Sequence, residues 1–145
     1  MTSNREVVER YWRALADHDF DTAYGLLHED FVSRWPQSGE VIRGPANARA
    51  IVEGWPGGGV TAAVGKIIGQ DEEYVLGPSW NIVHVAGTGD EFFGMGTVTY
   101  PNGETWHDVG VVTVRDGKIW RVVEYFAPSF DPAEWRRPYV EIEDA

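Results

Sequence analysis

The sequence predicts an α+β fold, and three observations carry that reading. Helical periodicity is confined to the first third of the chain, β-branched and aromatic residues dominate the remainder, and turn-forming clusters cut that remainder into consecutive strands. Helices first and an antiparallel meander afterwards is the order in which helices pack on one face of a sheet. A strongly curved sheet closed by helices leaves a cavity.

The elements follow in order. Ser3-Asn4-Arg5-Glu6 has capping-box spacing and predicts a helix over about 4–16. Val8, Tyr11, Trp12 and Leu15 form its buried stripe. Asp17-His18-Asp19 offers a new cap, and Phe20, Ala23, Tyr24 and Leu27 predict a second helix reaching about His28. An extended piece spans Phe31 to Trp35. Gly44-Pro45 then puts proline at the first helical position of a third helix, Ala46 to Val52, ending at Gly54. From Val60 onward strands are separated by Gly87-Thr88-Gly89-Asp90, Pro101-Asn102-Gly103 and Asp116-Gly117. The stretch from Gly54 to Pro78 is the least regular, a surface excursion or a pocket rim.

At 145 residues the chain reads as one domain, 1–145, and at 43% hydrophobic it has enough apolar material to fold in water. A formal charge of −11, with 12 basic against 23 acidic residues, argues against nucleic acid or an anionic membrane as partner. Glu141, Glu143 and Asp144 read as a solvated tail, with Trp135 docking the C-terminal segment onto the body. With no cysteine there is no disulfide or thiol chemistry. The first residues lack the apolar run of a signal peptide, so a cytoplasmic location is the expectation.

Val8-Glu9-Arg10-Tyr11-Trp12-Arg13-Ala14-Leu15, then Asp19-Phe20-Asp21, Leu27, Asp30-Phe31 and Gly44, resembles the opening of nuclear-transport-factor-2-like proteins. Arg115-Asp116-Gly117-Lys118-Ile119 and Glu124-Tyr125-Phe126 resemble the ending of the SnoaL-like members, which include polyketide cyclases and relatives of ketosteroid isomerase. The resemblance implies a cone-shaped, strongly curved antiparallel sheet with three N-terminal helices packed on its concave face. It further implies a cavity between sheet and first helix, no organic cofactor, and a homodimer formed through the outer sheet face. Fold alone does not name the activity.

By the same resemblance Tyr11 stands where steroid isomerases carry the tyrosine of their oxyanion hole, a phenol able to stabilise a developing enolate. Their catalytic aspartate precedes a proline; here the dipeptide is Trp35-Pro36, and an indole cannot abstract a proton. Period-two alternation places Trp106, Asp108, Gly110, Val112 and Val114 on one strand face and His107 on the other. Alternation in the last strand groups Trp120, Val122, Glu124 and Phe126, and the isomerase register also turns Glu124 inward. Two carboxyl groups facing one apolar cavity cannot both ionise cheaply, so Asp108 and Glu124 are the candidate acid and base, with Tyr11 as orienting donor. Arg34 is the candidate bridge between carboxylates.

His84 is a candidate cavity residue, whereas His18 and His28 read as solvent-exposed helix ends. No histidine spacing suits a metal, and none is expected. Seven tryptophans suit a flat, ring-containing ligand as well as ordinary packing. The candidate substrate-binding residues are Trp12, Tyr24, Phe31, Trp35 and Trp55, together with Trp80, His84, Trp106, Trp120 and Phe126.

The expected function is cofactor-independent acid/base chemistry, meaning cyclisation, isomerisation, dehydration or epoxide hydration, on an apolar cyclic or polyketide-like substrate. Two alternatives stand beside it: a non-catalytic protein that binds or senses a small apolar metabolite, and an adaptor for a protein partner.

Overall fold

The computed structural model describes residues 2–54, 79–100 and 103–143, without the side chains of 79–86 and 88. Helix α1 (Asn4–Ala16) starts at the expected capping box: Ser3 accepts from the Glu6 amide and Glu6 from the Ser3 amide. Its stripe of Val8, Tyr11, Trp12 and Leu15 is buried, joined by Val7 and Ala14. Asn4 donates to the carbonyl of Gly89 and to Asp90, pinning the start of α1 to a sheet turn.

Helix α2 (Phe20–Gly25), capped by Asp19, is shorter than expected. Strand β1 (Leu27–Trp35) begins at once, because Leu27 pairs with Ile119 across the sheet. His28 is therefore a buried strand residue rather than a helix end in solvent. Its Nδ1 accepts from the Asp30 amide, and Nε2 lies 3.5 Å from the Asp116 carboxylate.

Strand β2 (Glu40–Arg43), absent from the expected elements, forms a hairpin with β1. Gly44 then turns the chain with φ +82, a left-handed value that favours glycine, and Pro45 opens α3 (Pro45–Glu53). Residues 55–78, including Trp55, lie outside the described residues.

Strands β3 (Ser79–Thr88), β4 (Glu91–Thr99), β5 (Thr105–Arg115) and β6 (Lys118–Pro128) form the antiparallel meander. Among the described residues six strands run in the order β2-β1-β6-β5-β4-β3, with β1 parallel to β6 as the one exception to antiparallel pairing. The result is a curved, mostly antiparallel sheet with the N-terminal helices against one face. Its core is Val8, Trp12, Phe20, Ala23 and Phe31 from the N-terminal half, with Phe92, Val112, Ile119 and Val122 from the meander.

After β6 a 3₁₀ turn covers Glu134–Tyr139. Trp135 is 76% exposed, so the expected docking onto the body does not occur; Phe130 and Tyr139 beside it are equally open. Among the described residues no helix is long and apolar enough to cross a membrane.

Candidate functional site

One large cavity, about 530 Å³, opens between the concave sheet face and the three helices. Its depth is set by close packing at one point. Gly94 and Gly110 are cross-strand partners on β4 and β5, and the Trp12 indole lies over them. A Cβ on Gly94 would meet Trp12 Cη2 at 2.3 Å, so only glycine admits the ring. Trp12 thus forms part of the floor while remaining 6% exposed.

The expected alternation holds on β5. Trp106 and Asp108 face the cavity, Gly110, Val112 and Val114 continue inward as buried residues, and His107 is exposed on the other side, 3.2 Å from Ser129 Oγ. On β6, Glu124 and Phe126 line the cavity. Glu124 pairs with Gly110 and Asp108 with Phe126, so the two acids are diagonal neighbours on one face, roughly 7 Å apart at the backbone.

Trp120 is a correction. Thr113 pairs with Arg121 but Val114 with Ile119, leaving Trp120 as the extra residue of a β-bulge. The bulge turns Ile119 into the core and Trp120 away from the cavity, where its ring carries the Arg121 guanidinium 3.8 Å from its centroid and that of Arg115 at 5.0 Å. Arg34 is a second correction: it lies exposed between the inward Ser33 and Trp35 and cannot bridge the acids. Trp80 and His84 have backbone positions on β3, opposite Val98 and Met95, and their side chains lie outside the described residues, as does Trp55.

Tyr11 and Tyr24 approach from the helices and Phe31 from β1. The mouth is aromatic: Trp35 meets Phe126 edge-on at 5.8 Å between centroids, and Tyr100 meets Trp106 in the same way at 5.8 Å. Tyr100, Gln37 and Ser33 were not singled out by the sequence. Tyr100 had a signal, since Phe92, Gly94, Gly96, Val98 and Tyr100 continue one alternation up to Pro101. Gln37, which accepts the Phe126 amide from a turn, follows no pattern.

Electrostatics set the chemistry. Burial pushes Glu124 up to about 8, with the Asp108 charge adding to it, and burial pushes Asp108 up to about 7. With Glu124 raised further than Asp108, the first tends to keep its proton near neutrality where the second can release its own, an acid and a base on one face of the sheet. Burial, then the Glu124 charge, raises Tyr11 well above the ordinary phenol, so it stays a hydrogen-bond donor. Among the described residues Asp108 Oδ1 is buried with no hydrogen-bond partner, an acceptor facing no donor. Among the described residues no cluster of three histidine or acidic side chains is placed to hold a metal ion.

Residues 8–122 match the family model of the SnoaL-like domain. An NTF2-like protein of unknown function from Burkholderia xenovorans superposes with a TM-score of 0.72 at 26% identity, over 97% of this chain and 95% of that one. A Kribbella flavida protein given a provisional ketosteroid isomerase assignment gives 0.77 at 20% identity, over 98% and 90%. An LEH-like epoxide hydrolase of M. tuberculosis gives 0.61 at 23% identity, over 83% and 79%. Among curated proteins there is no match.

Proposed function

Because this chain belongs to the SnoaL-like domain family, a family on a fold that serves several chemistries, we propose that it is a cofactor-independent enzyme performing acid/base chemistry on a small apolar cyclic or polyketide-like molecule. The observation that carries the reading is the pair Asp108 and Glu124 on one wall of an apolar cavity of about 530 Å³. Their raised values suit proton abstraction by one carboxylate and proton return by its protonated neighbour. Tyr11 supplies the donor for a developing oxyanion. Cyclisation, isomerisation, dehydration and epoxide hydration are each reactions that a paired acid and base can serve.

The test is exchange of α-protons in D₂O. Cyclic ketones and β-dicarbonyl compounds are incubated with the protein and followed by NMR. Deuterium uptake above buffer with the wild type, lost in Asp108→Asn/Glu124→Gln, supports the reading. Compounds that bind and are recovered without exchange refute it and favour the second reading, a binding or sensing protein. That alternative draws on Trp35, a residue without proton-transfer chemistry at the cavity mouth.

A homodimer is part of the proposal. The outer sheet face carries Phe93, Met95, Val109, Val111, Val123 and Tyr125 on adjacent strands, with Met95, Val111 and Tyr125 38–48% exposed. A contiguous apolar face of this kind suits a second copy of the chain.

A further inference from the structure

The cavity wall is one-sided in charge. Three carboxyl residues reach it, Asp108 and Glu124 in the depth and Glu40 at the mouth, and no lysine, arginine or histidine does so among the described residues. The basic residues of that region point elsewhere: Arg34 lies on the far face of β1, and Arg121 lies against the outward Trp120. A carboxylate or phosphate ligand entering here would meet like charge in an apolar enclosure with no basic side chain among the described residues to offset it.

The aromatic residues complement the acids. Trp35, Tyr100, Trp106 and Phe126 stand at the mouth, and their ring faces attract cations, an attraction that strengthens as water is excluded. The wall also holds an acceptor in need of a donor, Asp108 Oδ1, which has no partner among the described residues. A neutral hydroxyl would satisfy that one atom and leave the negative charge of the acid pair unbalanced. A protonated amine brings several N–H donors and the opposite charge.

We propose that the cavity selects an apolar ring-bearing molecule carrying a basic amine, its ammonium set between Asp108 and Glu124 and its ring body against the aromatic mouth. This rests on the cavity being a small-molecule site, as proposed above, and narrows the ligand class. One ionised carboxylate pairs with the ammonium while the other keeps the proton available for chemistry.

The test uses three probes of one shape at pH 7.5: 1-naphthylmethylammonium, 1-naphthalenemethanol and 1-naphthoate, titrated calorimetrically into the full chain. The ammonium is expected to bind at least about 10-fold more tightly than the alcohol, and the naphthoate more weakly than either. In Asp108→Asn/Glu124→Gln the preference for ammonium over alcohol should shrink to about 3-fold or less with alcohol affinity retained. The single Glu124→Gln variant should show part of the same loss if the double variant does not fold. An alcohol that binds as tightly as the ammonium to the wild type, or a preference that survives both substitutions, overturns the amine assignment and leaves the cavity reading standing. Failure of all three probes to bind overturns both.

Discussion

Replacing Glu124 with glutamine should change how stability depends on pH, in a direction set by where the carboxyl sits. Its ordinary value is 4.5, and the folded cavity raises it to about 8, through burial first and the Asp108 charge second. Between those values the unfolded chain has released a proton that the folded chain keeps. Stability is therefore full below the lower value, falls as pH rises through the window and levels off above the upper one. A displacement of that size corresponds to on the order of 5 kcal/mol at the alkaline end. In a chain of this length 1 kcal/mol moves the melting temperature by roughly 3 °C. Glutamine has the shape of the protonated acid and no proton to lose. Wild type and Glu124→Gln should thus melt within about 3 °C of each other at pH 5, with the variant more stable by on the order of 10 °C at pH 9. Tyr11, Tyr24 and Tyr100 face the same space, and burial raises all three, so they remain neutral throughout. Asp108 titrates in the window and should show the same sense with smaller amplitude when changed to asparagine. Thermal melts at constant ionic strength measure this, and parallel curves for wild type and variant from pH 5 to 9 would refute the buried-pair geometry.

Two further predictions concern packing and assembly. Gly94→Ala forces a methyl group to 2.3 Å from Trp12 Cη2 and should destabilise by about 1–3 kcal/mol in urea titration. Gly110→Ala, whose nearest neighbour is Glu124 Cγ at 3.4 Å, should lose clearly less, and equal losses would contradict the stacking of Trp12 on Gly94. Val111→Lys places a charge in the middle of the apolar outer face and should convert a dimer into a monomer in sedimentation velocity. A wild type that sediments as a monomer at high micromolar concentration would defeat the dimer assignment.

Most of the fold was legible because local rules and tertiary demands agree along most of the chain. The capping box at Ser3 and Glu6, the stripe on α1 and the proline opening α3 all appear where the spacing places them. The β5 alternation likewise assigned Asp108 and His107 to opposite faces, and Asp108 does line the cavity. The misreadings occur where a long-range pairing overrides a local pattern. Leu27 continues a helical period but pairs with Ile119, so α2 stops at Gly25 and His28 enters the sheet.

Trp120 shows the same conflict within one strand, and the inward placement of Glu124 was legible despite it. Strict alternation would place Trp120, Val122, Glu124 and Phe126 together, and it holds from Val122 to Phe126, the stretch that lines the core and the cavity. Before Val122 the bulge adds one residue, and Ile119 takes the inward place that Trp120 would have had. No residue type in the sequence marks the bulge. It is forced by the need to seat Ile119, fully buried and accepting no exposure, beside Leu27 while keeping Val122 in the core. The inward placement of Glu124 rests on Val122 and the residues after it, so the acid pair is independent of how the bulge resolves.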